Sequence, residues 1–201
     1  MILIHKFYKN ISYFLIIKIK MKKNLNITIF GNKEINKIDL IENYIKDKKF
    51  GDRKQKKDCL SFVKTFKDNN SMKLNIHEIS DQNDKKAKDI SSNQCVIIMF
   101  DMTKRECFEE VIDKWIRTLR DNKYNNSIIL LGTKNPVEPN ALPMTDEEEI
   151  KALIDVTEIK GQFFDIGNKN SKEISDLIDQ LIETSYEEAK SNMNKKDCVI
   201  Y

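Results

Sequence analysis

The sequence predicts an α/β fold: a mostly parallel six-stranded sheet with helices on both faces and one antiparallel hairpin. Three observations predict it. Cys95 to Phe100 (CVIIMF) and Ile128 to Leu131 (IILL) are continuous apolar runs of the kind buried on both faces in the middle of a parallel sheet. Between them, Phe108, Val111, Ile112, Trp115, Ile116 and Leu119 recur at the spacing of one helix face. Leu60 to Phe66 and Met72 to Ile79 are extended runs joined by Lys67-Asp68-Asn69-Asn70-Ser71, a linker of hairpin length.

The remaining elements follow in chain order. Leu25 to Phe30 (LNITIF) is a short β-rich run stopped by Gly31, and Ile38, Ile41 and Ile45 mark the helix after it. Pro136, Pro139 and Pro143 fall in one loop behind Ile128–Leu131, after which Thr145 and Glu148 have the spacing of a capping box opening another helix. Gln162 to Ile166 supplies the last strand. Ser171 to about Lys190 closes the fold with Ile174, Leu177, Ile178, Leu181 and Ile182 on one face. The order is β-α-β-β-α-β-α-β-α-β-α, with no internal repeat.

Composition narrows the class. A chain of 201 residues suits one domain with a buried core. Hydrophobic residues at 40% and charged residues at 33%, with five Gly and three Pro, exclude collagen-like and largely disordered chains. Cys59, Cys95, Cys107 and Cys198 form no C-x-x-C pair, which argues against a zinc site and a secreted disulfide framework and for the reducing cytosol. The net charge is +3, and the first twenty residues alone carry Lys6, Lys9, Lys18 and Lys20 and no acid. The rest is balanced, so bulk charge does not call for nucleic acid. The apolar stretch Tyr13 to Ile17 is too short to span a bilayer, and no small-residue cleavage site precedes MKKNLN. Residues 1–20 read either as a membrane-surface or transit-like extension or as an artefact of the gene model, with Met21 the true start.

In such sheets ligands bind at the carboxyl ends of the strands, so chemistry is expected in the residues just after each strand. After the first stands Gly31-Asn32-Lys33-Glu34-Ile35-Asn36-Lys37-Ile38, a near miss to G-x-x-x-x-G-K-[ST], the loop whose backbone amides cradle phosphates. A plain tight turn produces the same spacing. Taken in order, the other strand ends resemble motifs of the Ras superfamily of small GTPases, the Rab branch in particular. CVIIMFDMTKRECFEEVIDKW (95–115) resembles the Rab segment of a buried strand, Asp-x-Thr, a Ser/Cys-Phe pair and a helix tryptophan. LNIHEISDQND resembles the Asp-x-x-Gly-Gln entry to switch II, IILLGTKNP the Asn-Lys-x-Asp strand end, and FFDIGNK the Ser-Ala-Lys strand end.

The resemblance spans roughly residues 24–190. It implies a P-loop NTPase-like fold over 21–190, GTP and GDP as ligands with Mg²⁺, and hydrolysis to GDP. It also implies effector and regulator proteins at the switch regions, vesicle traffic or signalling as the setting, and a monomer. The implied nucleotide positions are Gly31, Glu34, Asn36, Lys37, Ile38, Thr133, Lys134, Asn168 and Lys169. Glu78 stands at the metal position and Gln82 at the position that orients attacking water.

Departures from the family pattern each remove an atom with a defined task. Ile38 replaces the Ser/Thr hydroxyl that ligates Mg²⁺, and Asn36 replaces a glycine of the loop. Glu78 is one methylene longer than the usual Asp, and Asp81 puts negative charge where a glycine amide normally meets the γ-phosphate. In the basic stretch Lys46 to Asp58, which reads either as a solvated loop or as an anion-binding one, the switch I threonine falls on Lys57. Pro136 replaces the Asp that reads guanine and Thr133 the preceding Asn, while Lys134 and Lys169 remain. Gln82 reads equally as an exposed loop glutamine. Loss of several such contacts, each worth about 2–5 kcal/mol, predicts weak nucleotide binding with little guanine selectivity.

The chain ends Cys198-Val199-Ile200-Tyr201, a C-a-a-X form with Tyr atypical at X, behind Lys195 and Lys196 in a tail over 191–201. Prenylation of Cys198 would tether the protein to the cytosolic face of a membrane; a free tail thiol is the alternative. Two functions compete: a membrane-tethered binding module with weakened nucleotide and Mg²⁺ binding, and a working GTPase switch whose altered motifs are compensated.

Overall fold

The computed structural model describes residues 24–35, 37–50, 53–56, 59–81, 90–134, 142–157 and 160–197. The N-terminal extension, Asn36, Lys57, Gln82, Pro136, Pro139 and Cys198 lie outside the described residues.

The strands are β1 (Asn24–Phe30), β2 (Lys54–Lys56), β3 (Cys59–Thr65), β4 (Ser71–Ile79), β5 (Cys95–Asp101), β6 (Ser127–Thr133) and β7 (Gly161–Asp165). They form one sheet in the order β2-β3-β4-β1-β5-β6-β7. The β3–β4 and β2–β3 pairs are antiparallel, and the β4–β1, β1–β5, β5–β6 and β6–β7 pairs are parallel. The expected hairpin is therefore present, but among the described residues the sheet has seven strands rather than six. The extra strand, Lys-Gln-Lys, is all polar and carries no alternation; it pairs with the edge of β3, Lys54 opposite Ser61 and Lys56 opposite Cys59. The hairpin turn is closed by Asn69 at φ 62°, a left-handed position that Asn tolerates well.

Helix α1 (Lys37–Lys48) follows β1, and α3 (Glu147–Thr157) precedes β7. Helix α2 runs through Arg105–Glu110, a π-helical middle Val111–Ile116 and Arg117–Asp121. Helix α4 (Ser171–Asp197) continues past Lys190, so the expected tail is helical in its first part. A short 3-10 turn at Ile90–Ser92 leads into β5; the helix expected between β4 and β5 otherwise falls outside the described residues. The capping box at Thr145 does not form. Asp146 Oδ1 accepts from Glu149 N at 2.7 Å instead, so the cap sits one residue later and the Thr145 hydroxyl is buried without a partner among the described residues.

The period-two geometry of a strand sorts β5 onto two cores. Ile97 and Met99 join Ile27, Ile41, Tyr44, Leu74, Ile178 and Ile182 under α1 and α4. Val96, Ile98 and Phe100 join Phe108, Trp115, Ile116 and Ile150 under α2 and α3. Trp115 stacks on Phe30 with ring centroids 4.8 Å apart. Of the six apolar residues expected to line one face of α2, Ile112 alone is exposed, since the wider π turn changes the phase of the stripe. Strand β1 lies between β4 and β5, so its carboxyl end is the switch point of the sheet.

Candidate functional site

The loop from β1 to α1 leaves the sheet at Gly31, whose φ is +156°; a Cβ there would lie 2.7 Å from the Met99 carbonyl oxygen. Glycine is required by that approach. The loop then folds around its own lysine. Lys37 is 1% exposed, and its Nζ donates to the carbonyls of Asn32 at 2.7 Å, Ile35 at 3.2 Å and Gly31 at 3.3 Å. Glu78 Oε1, at the end of β4, lies 3.2 Å from the same nitrogen. Burial lowers the Lys37 pKa from its ordinary value, and the hydrogen bond and charge of Glu78 oppose that shift. Two loop amides are also spent internally: Ile35 N donates to Asn32 O at 3.4 Å and Lys37 N to Ile35 O at 2.9 Å. Ile38, half-buried at the second position of α1, offers no oxygen.

The strand ends beyond Gly31 converge on a cavity of about 330 Å³ between the loop, α1 and the start of α4. Its apolar wall includes Ile35, Leu40, Met99, Ile166 and Ile174, and its polar rim Asn32, Asp101, Thr133 and Lys134. Asp101 ends β5 with an Asx turn, its Oδ1 accepting from Thr103 N at 2.9 Å and Thr103 Oγ1 at 2.7 Å. That turn explains the Asp-x-Thr spacing as a backbone device. Lys134 Nζ donates to Asn168 Oδ1 at 3.1 Å, and its stem lies where a Cβ on Gly167 would come within 2.6 Å of Cγ. Lys169 is exposed beside them. Glu34 pairs with Lys104 at 2.6 Å across the rim.

The structure therefore brings Gly31, Glu34, Lys37, Ile38, Glu78, Thr133, Lys134, Asn168 and Lys169 to one end of the sheet, in two groups. Lys37 and Glu78 form the first; the cavity with Thr133 and Lys134 forms the second, and Lys37 is not among its walls. Sequence reasoning did not single out Lys104, Asn43 or Tyr44, which also line the cavity. The position of Lys104 just behind β5 was the available signal.

The model of the Ras family matches residues 26–187. The chain belongs to the Ras family. No curated protein matches it. A Ras-family domain holds its nucleotide at this end of the sheet, and the fit of the residues present can be tested there. They do not fit Mg²⁺: Ile38 has no ligand atom and Glu78 is held by Lys37. Among the described residues no group of three or more His, Cys, Asp or Glu side chains could hold a metal ion. The fit to a nucleotide is partial: the cavity is present with Lys134 on its rim, while Lys37 is already satisfied by the protein. No helix among the described residues is long and apolar enough to cross a membrane.

Proposed function

We propose that this Ras-family chain is a divergent, Rab-like binding module in vesicle traffic or signalling, with weakened nucleotide and Mg²⁺ binding and little GTP hydrolysis. The observation that carries the reading is the loop closed on Lys37: the amino group and two amides that a phosphate would need are hydrogen-bonded to the loop itself. Ile38 at the metal position acts in the same direction. Without a sound phosphate and metal site, Gln82, as the residue that would orient water, has little to act on. Partners in this reading are effector and regulator proteins at the switch regions. Prenylated Cys198, supported by Lys195 and Lys196, anchors the chain at the cytosolic face of a membrane.

A second reading, a working GTPase switch with compensated motifs, is favoured by the cavity at the strand ends together with Lys134 and Lys169 at its base side. Calorimetric titration of GDP and GTP into the full chain, freed of copurified nucleotide, separates the two. It is run with and without Mg²⁺, with ATP as control. The module reading expects weak or no heat without Mg²⁺ dependence. Guanine-selective, Mg²⁺-dependent binding below about 1 μM, some −8 kcal/mol, overturns it in favour of the switch.

A further inference from the structure

We infer that Glu78 sets the ligand class of this site, its carboxylate standing in for a phosphate on Lys37 and so discriminating against polyphosphate ligands. The inference rests on the reading of weakened nucleotide binding and names the residue responsible.

A lysine ammonium has three protons to donate. Lys37 Nζ has four acceptors within 3.3 Å, three loop carbonyls and Glu78 Oε1, so its donors are used up before any ligand arrives. The Lys37 side chain is fully covered, whereas Glu78 is 25% exposed. A phosphate therefore meets the Glu78 carboxylate first, a like charge, and reaches Lys37 only by displacing it. Glu78 cannot withdraw with its backbone, because β4 is held in parallel register on β1, with Glu78 opposite Ile29 and Ile79 opposite Phe30. The reach to Lys37 is made by the glutamate side chain, and Ser80 Oγ donates to the same Oε1 at 3.4 Å. The cavity beside the pair is lined from the base side by Thr133 and Lys134 and has a volume of about 330 Å³, near the lower end of about 300–1,000 Å³ for small-molecule sites. The nucleoside end of the site is thus open while the phosphate end is closed by the chain's own acid.

The test titrates guanosine, GMP, GDP and inorganic pyrophosphate into the full-length wild type, Glu78→Gln, Glu78→Ala and the double variant Lys37→Met/Glu78→Gln. Thermal melts confirm that each is folded. For the wild type, affinity is expected to change less than about threefold from guanosine to GDP. In both single variants GDP and pyrophosphate tighten at least about tenfold while guanosine stays unchanged, and the gain disappears in the double variant. A wild type that gains tenfold or more from guanosine to GDP overturns the inference. So does a single variant with no gain, or a gain that survives Lys37→Met and so reflects only the removed charge. Weak wild-type binding with no gain in the variants defeats this inference and leaves the module reading standing. Tight, Mg²⁺-dependent GDP binding by the wild type defeats the module reading and, with it, the inference that rests on it.

Discussion

Replacing Lys64 by Met tests how the helix that builds the cavity wall is held to the sheet. Lys64, on β3, is 5% exposed, and its Nζ lies 2.7 Å from Asp179 Oδ1 and 3.1 Å from Glu183 Oε1, one turn apart on α4. Tyr44 of α1 donates to the same Asp179 oxygen at 2.7 Å, and the amino group sits 5.7 Å from the Phe50 ring and 5.5 Å from Phe66. Methionine fills the space of the lysine stem but leaves two carboxylates facing each other with Tyr44 as their remaining donor. Breaking a buried pair costs about 3–5 kcal/mol. Asp179 is 31% exposed and Glu183 12%, which places the expected loss at the lower end, about 3 kcal/mol. At about 2–4 °C per kcal/mol for a chain of this size, the melting temperature falls by about 6–12 °C. The assay is thermal and urea unfolding of nucleotide-free protein at pH 7, followed by circular dichroism. Neutralising the partners as well, in Lys64→Met/Asp179→Asn/Glu183→Gln, is expected to recover most of the loss. Burial raises the Asp179 pKa, but the bonds from Lys64 and Tyr44 outweigh it and hold the group below its usual range. Its contribution is thus complete above the ordinary aspartate pKa and is lost as pH falls through the folded value, so the penalty shrinks in acid. A single-variant loss under about 1 kcal/mol, or a triple variant no better than the single, refutes the reasoning.

Two further predictions concern the far end of α4 and the metal position. Asp68 accepts from Tyr186 OH at 2.7 Å, Lys190 Nζ at 2.8 Å and Asn70 N at 3.1 Å; burial would raise its pKa, yet these bonds hold it well below the carboxylate range. Asp68→Asn should cost about 1.5–3 kcal/mol at pH 7, with the difference fading below about pH 4; an undiminished difference at pH 2 refutes the charge argument. Restoring the missing hydroxyl with Ile38→Thr should by itself leave GDP binding independent of Mg²⁺ by calorimetry, because Lys37 still holds Glu78. A tenfold or larger Mg²⁺-dependent tightening contradicts that.

What the sequence made legible follows from which forces leave a pattern in it. Continuous burial on both faces wrote CVIIMF as an unbroken apolar run, and the structure divides those same residues between two cores. The turn at Asp68 to Asn70 and the order of the strand ends were legible for the same reason, as local chemistry at fixed offsets. The edge strand Lys54–Lys56 was not, because backbone pairing to an edge asks nothing of its side chains. The cap at Asp146 was missed by one residue, since Thr145 and Asp146 are both competent caps and tertiary packing of the first turn decides between them. At the site, residue types revealed what was missing, such as the hydroxyl at position 38. They did not reveal that Glu78 reaches Lys37, a contact between residues distant in sequence that depends on the β1–β4 register.

Lys37 and Lys64 are the two buried lysines among the described residues, and both are held by a carboxylate from another element. Both acids reach solvent, Glu78 at 25% exposed and Asp179 at 31%, so the difference between the lysines is place. Lys64 lies on β3 under α4 between two carboxylates, whereas Lys37 closes the loop at the carboxyl end of β1 with one, and there a ligand able to replace that acid could take its place. The free energy by which Glu78 holds Lys37 in the free chain must then be surrendered by any ligand that needs Lys37, and it is subtracted from that ligand's affinity. The two quantities are linked: the stability that Glu78→Gln loses should equal, at about 1.4 kcal/mol for each factor of ten, the affinity for GDP that it gains. A variant that binds GDP tenfold tighter without losing stability would mean that Glu78 repels the phosphate through its charge and does not occupy its place. A variant that loses stability without gaining affinity would mean that Lys37 has become purely a structural residue of the loop.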